Sequence, residues 1–94
     1  MGRLPTKKTI TALLSDLSHP QVLYATSADG VFKSVDAGDS WQTMNTGLWD
    51  TTIAALALHP TQPSRLYVVT ASGTVFRSTD GAATWQRQGQ LPTE

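Results

Sequence analysis

Short runs of alternating residues, separated by turn-forming clusters, organise this chain. Val31, Lys33 and Val35 alternate with Phe32 and Ser34, a period of two that reads as a half-buried strand. Three further runs surround it, at residues 10–14, at 22–27 and from Trp41 onward. Leu23-Tyr24 and Leu66-Tyr67 carry β-propensity. The gaps hold turn signals: His19-Pro20, Asp29-Gly30, the segment 36–38, His59-Pro60 with Pro63, Ser72-Gly73 and Asp80-Gly81. The pattern predicts four short strands followed by four more, at 53–58, 65–70, 74–79 and from Trp85. A short helix over 13–17 is the alternative for the first run, but it has no paired cap and its counterpart stops at Pro60.

The second set of strands repeats the first. Residues 10–30 align without a gap on 53–73, matching Ile10 with Ile53, Leu13 with Leu56, Pro20 with Pro63, Tyr24 with Tyr67 and Gly30 with Gly73. Thr74 is one inserted residue. Beyond it, Ser34-Val35-Asp36-Ala37-Gly38-Asp39-Ser40-Trp41 returns as Ser78-Thr79-Asp80-Gly81-Ala82-Ala83-Thr84-Trp85. A third echo joins residues 2–6 to residues 89–93, which suggests that the end of one copy meets the start of the next. Self-similarity at this period means one supersecondary unit used repeatedly, and such units need stacked neighbours to cover their apolar faces.

Composition narrows the classes. The 94 residues balance seven Lys and Arg against seven Asp and Glu, so there is no basic field to attract nucleic acid. There is no cysteine, hence no disulfide framework or thiolate metal site. No apolar run reaches the roughly 18 residues of a membrane span, and the first residues lack a secretory apolar segment. The expectation is a cytoplasmic location if the chain is complete, or export as part of a longer protein.

The eight-residue segments carry the sharpest signal. Asp36 and Asp80 are short acceptors for backbone N–H groups of a tight turn, and Ser34 and Ser78 add local bonds. Gly38 supplies positive φ, and Trp41 and Trp85 each bury a large ring at the start of the next strand. Ser34, Asp36, Gly38 and Trp41 fit the pattern S/T-x-D-x-G-x-x-W and resemble the Asp-box, or BNR, repeat of sialidases, sortilin-like domains, certain xyloglucanases and photosystem II assembly factors. The second segment departs from it, because Ala82 stands at the box glycine and Gly81 one place earlier.

The resemblance implies an all-β fold of two four-stranded antiparallel propeller blades: a connection at 1–9, blade 1 at 10–48, a loop at 49–52 and blade 2 at 53–94. Two blades leave two flanks uncovered, so closure by homo-oligomerisation is expected, as a homotrimer or homotetramer or, in larger rings, a pentamer. A piece of a longer propeller is the alternative. The resemblance also places the boxes at the blade periphery, giving Asp36 and Asp80 structural rather than catalytic roles.

Candidate ligand residues are therefore sought at the opposite loops. Trp49 offers a stacking surface with Asp50 and Asp29 as polar neighbours, although inter-blade packing is the favoured reading of Trp49. Lys7 and Lys8 lie on the inter-blade connection, as a positive annulus or a solvated loop. His19 and His59 do not align with each other and read as turn residues; no metal site or cofactor is expected. Outside the boxes, Asp16, Asp29, Asp39, Asp50 and Glu94 form no acid–base pattern, and Arg3, Arg65, Arg77 and Arg87 show no triad arrangement of the sialidase kind. The expected function is a non-catalytic scaffold or protein-interaction propeller, with a multivalent glycan-binding module or a degenerate glycosidase as alternatives.

Overall fold

The computed structural model describes residues 6–16, 18–59, 61–62 and 64–90. Leu17, Pro60, Pro63, Arg3, Glu94 and most of the echo between residues 2–6 and 89–93 lie outside that set. Eight strands form two four-stranded antiparallel meanders. The first comprises β1 (Ala12–Asp16), β2 (His19–Ser27), β3 (Gly30–Ser34) and β4 (Gln42–Thr43); the second comprises β5 (Ile53–Leu58), β6 (Leu66–Thr70), β7 (Thr74–Ser78) and β8 (Gln86–Gln90). The helix alternative for 13–17 does not form, since Ala12–Asp16 pairs with β2. His19 opens a strand rather than lying in a turn, because a register shift between Ser15 and Asp16 extends the ladder to an Asp16–His19 pair.

Register assigns the faces. Leu14, Tyr24, Lys33 and Gln42 lie opposite one another across the first sheet, as do Leu13, Ala25, Phe32 and Thr43 on its other side. The first set faces the second sheet. Tyr24 and Val31 pack with Ile53, Leu66, Val68, Phe76, Ala82 and Trp85 in the main hydrophobic cluster. Val68 and Phe76 are themselves opposite each other, with Leu56 alongside. One face of the first sheet thus meets the opposite kind of face of the second. The Thr11 hydroxyl adds a bond to the Ile53 carbonyl at 3.0 Å, tying the segment before β1 to the start of β5.

The outward faces are less bare than two isolated sheets suggest. Phe32 and Ala25 on the outer side of the first sheet are buried, and Tyr67, Val69, Val75 and Arg77 on the outer side of the second are half-buried. Leu13 is the conspicuous exception, at 60% exposure on the outer side of the first sheet.

Candidate functional site

Both eight-residue turns close through the same bonds. The Ser34 hydroxyl donates to Asp36 Oδ1 at 2.8 Å and accepts the Gly38 N–H at 2.8 Å. Asp36 Oδ1 accepts the Ser40 N–H at 2.8 Å, and Oδ2 accepts the Ser40 hydroxyl at 2.5 Å. In the second turn Ser78, Asp80, Ala82 and Thr84 reproduce each bond within 0.1 Å, at 2.8, 2.9, 2.9 and 2.5 Å. The swapped glycine leaves the turn intact. Ala37 and Gly38 have φ of 59° and 94°, Gly81 and Ala82 have 71° and 75°. Each turn needs two successive left-handed residues, and each chain segment supplies one glycine and one alanine in opposite order.

These bonds hold the carboxylates ionised. The Ser40 hydroxyl, the Ser40 N–H and the Ser34 hydroxyl lower Asp36 to a pKa of about 2. The Thr84 hydroxyl and N–H, with Ser78, lower Asp80 in the same direction. Carboxylates so fully engaged are poor proton donors.

The tryptophans diverge. Trp85 is 3% exposed; its indole N–H donates to the Met44 carbonyl at 2.9 Å and its backbone N–H to the Thr46 carbonyl at 2.8 Å. Gly47 presses so closely on the Trp85 carbonyl that no Cβ would fit there. Trp41 is only half-buried, lying near Gly38.

At the opposite end of the meanders lie the β2–β3 and β6–β7 turns and the loop 49–52. Trp49 is 65% exposed, with its ring edge-on to Phe76 at 5.3 Å between centroids. Asp50 accepts the Thr52 N–H at 3.1 Å, which lowers its pKa, and the Ser72 hydroxyl at 3.0 Å. Asp29 is engaged separately, by the Thr6 hydroxyl at 2.5 Å and by Lys8 at 4.0 Å. Trp49 therefore packs and projects at once, while both carboxylates serve neighbouring loops. His59 caps its own turn, its Nδ1 facing the N–H groups of Thr61 and Gln62 at 3.2 and 3.1 Å.

Two arrangements escaped sequence reasoning. Asn45 accepts the Val31 N–H through Oδ1 and donates through Nδ2 to the Asp29 carbonyl, clasping the β2–β3 turn. Gln90 clasps the β6–β7 turn alike, accepting from the Thr74 hydroxyl and donating to the Ser72 carbonyl. A register shift between Val75 and Phe76 moves this residue one place along the chain, which hides the match from a fixed-period alignment.

The second is a cleft of about 330 Å³ between the first sheet and the second turn, lined by Asp16, His19, Tyr24, Lys33, Ser64 and Asp80 among others. Lys33 Nζ donates to the Gly81 carbonyl at 3.1 Å and lies 5.5 Å from the Tyr24 ring centroid. His19 Nδ1 lies 3.4 Å from Asp16 Oδ2. Burial first, then the Asp16 charge, raises the Tyr24 pKa. The signal was present in the break of the repeat, for His59 stands at Asp16's place and Gln62 at His19's. Among the described residues no group of three or more His, Cys, Asp or Glu is placed to hold a metal ion, and no helix is long and apolar enough to cross a membrane.

Two four-stranded meanders packed face to face, each clipped by an Asp-box turn, define a pair of β-propeller blades. The family profile described as "Sortilin, neurotensin receptor 3" (Sortilin-Vps10) matches residues 29–94, and the chain belongs to that family. No curated protein matches it. Among solved structures it is similar to an ancestral GH74 enzyme, at 29% identity and a TM-score of 0.75 over 85% of this chain and 10% of that one. It is also similar in fold to YCF48 from Cyanidioschyzon merolae, at 19% identity and a TM-score of 0.71 over 97% of this chain and 27% of that one. A GH74 xyloglucanase from Xanthomonas campestris shows 20% identity and a TM-score of 0.70 over 85% of this chain and 15% of that one. The chain thus spans between about a tenth and about a quarter of the length of these relatives.

Proposed function

We propose that this chain is a non-catalytic β-propeller module that associates head to tail with copies of itself and serves as a scaffold or protein-interaction platform. One observation carries this reading. The outer face of blade 2, with Tyr67, Val75 and Arg77, corresponds residue by residue to the face of blade 1 that blade 2 covers, with Tyr24, Val31 and Lys33. A head-to-tail contact of this kind closes into a ring when the rotation per chain divides the circle. The absence of chemistry is part of the proposal: the box carboxylates are held ionised by their own turns, and Asp29 and Asp50 are engaged by neighbouring loops. Light scattering across a dilution series tests the assembly. A discrete trimer, tetramer or pentamer is expected, and a folded monomer at all concentrations overturns it. Hydrolysis of xyloglucan by the purified chain would overturn the non-catalytic reading.

The exposure of Trp49 favours one second reading, a multivalent glycan-binding ring in which identical weak sites act together. A glycan array with a Trp49→Ala control decides it. Sugar binding that the substitution abolishes supports the glycan reading, and no binding at millimolar sugar removes it.

A further inference from the structure

Lys33 and Tyr24 form a receptor for the backbone of an Asp-box turn. The Lys33 ammonium lies toward the Tyr24 ring and donates to the Gly81 carbonyl, the third residue after Ser78. A Cβ placed on Gly81 would lie 3.1 Å from Lys33 Nζ and 3.7 Å from the Tyr24 hydroxyl, so the receptor also touches that residue's side-chain position. The repeat supplies a second receptor, Arg77 with Tyr67, opposite each other across β6 and β7 on the outer face of blade 2. It supplies a second turn as well. Ala37 stands where Gly81 stands, is exposed, and has the same left-handed backbone at φ 59°. The same chain therefore carries one receptor–turn pair in contact and, on its two outward faces, a second receptor and a second turn that do not meet each other.

We infer that the occupant of the Arg77–Tyr67 face is the first Asp-box turn of a second copy of this chain, with the Arg77 guanidinium donating to the partner copy's Ala37 carbonyl. The internal joint is the template, and the flanking residues agree with it. Leu13 is 60% exposed, whereas its repeat equivalent Leu56 is half-buried against the inter-blade core. Trp41 is half-buried, whereas its equivalent Trp85 is 3% exposed and bonds the preceding blade. Both would be covered if the outer face of blade 1 met the outer face of blade 2 as the inner faces already meet. Arg in place of Lys keeps the donor and adds a fork able to grip a carbonyl and a neighbouring acceptor together.

This inference rests on the self-assembly reading and adds which atoms make the joint. Association constants of the whole chain are measured by sedimentation for wild type, Arg77→Lys, Arg77→Glu, Ala37→Asp and the double variant R77E/A37D. Arg77→Lys copies the internal pair and should associate as wild type does. Arg77→Glu should weaken association about tenfold or more, by removing a charged donor and opposing a carbonyl. Ala37→Asp places a carboxylate beside the guanidinium, in a backbone conformation that Asp tolerates, and should tighten association about threefold. That gain cannot come from misfolding. The double variant should associate more weakly than Arg77→Glu, the coupling expected of two like charges brought together at one joint and not of distant, independent sites. An oligomeric wild type indifferent to both Arg77→Glu and Ala37→Asp overturns this joint while leaving self-assembly standing. A wild-type chain that stays monomeric overturns both.

Discussion

The two Asp-box turns are nearly superimposable in their bonding and opposite in their surroundings. The first faces outward: Ala37 is exposed and Trp41 half-buried. The second is wedged between blades: Gly81, Ala82 and Trp85 are buried, and the Gly81 carbonyl and Trp85 indole both bond the first blade. Turn geometry is therefore local, dictated by Ser, Asp and a hydroxyl residue at fixed spacing. Packing is not local, and depends on whether a neighbouring blade is present. The pair separates what the motif does by itself from what the motif does as a blade joint.

Substituting the tryptophans attacks this contrast most strongly. Trp85→Ala removes a buried ring and strands the Met44 carbonyl, and should cost about 3–5 kcal/mol. That is a large fraction of the total stability of a small domain. Trp41→Ala should cost clearly less, since its ring is only half-buried. Chemical denaturation at low protein concentration measures both, and equal losses would abolish the distinction between a free and a joined box.

The serines should behave oppositely, that is, alike. Ser34→Ala leaves the buried Gly38 N–H without its acceptor, and Ser78→Ala does the same to Ala82. Each should cost about 1–3 kcal/mol despite the inverted order of alanine and glycine. A several-fold difference between the two would show that surroundings enter the turn itself. Acid titration adds a weaker handle. Asp36 has a folded pKa of about 2, below the unfolded value of 3.8, so its contribution is fully present above about pH 4 and fades as pH falls toward 2. Asp80 is shifted in the same direction by the matching bonds. Asp36→Asn should therefore flatten the stability profile over that window and leave its shape above it unchanged.

How much of this was legible in the chain varies by the range of the interaction. The period of two in 31–35, the paired Leu-Tyr strands and the box spacing identify two four-stranded sheets, because side-chain alternation and tight-turn bonding are set by near neighbours. Strand ends were blurred: β1 runs from Ala12 to Asp16 rather than from Ile10, and a register shift between Ser15 and Asp16 carries the ladder to His19. The equivalence of Asn45 and Gln90 was hidden by another bulge, one residue of slippage that a side chain longer by one methylene takes up. The Lys33–Gly81 bond spans 48 residues and follows only from how the blades meet. The burial of Phe32 and Ala25 and the half-burial of Tyr67 and Arg77 on the outer faces were beyond pattern alone, since alternation assigns a residue to a face and not the degree to which that face is covered.

The smallest effect isolates the glycine swap. Ala37 and Ala82 both sit at positive φ, 59° and 75°, where an L side chain is strained relative to glycine. Ala37 is exposed, so Ala37→Gly relieves that strain and surrenders almost no packing; it should stabilise the chain by about 0.5–1 kcal/mol after the greater flexibility of glycine in the unfolded state is deducted. Ala82 is wholly buried in the inter-blade cluster, so Ala82→Gly relieves a similar strain but loses about one buried methyl, worth roughly 0.8 kcal/mol. The two terms nearly cancel, and the unfolding midpoint should hardly move. If Ala82→Gly stabilised as much as Ala37→Gly, the Ala82 methyl would contribute nothing to the joint. If Ala37→Gly destabilised, the left-handed pair would not be the conformation of the first turn, and the likeness between the two boxes would fail at its most local point.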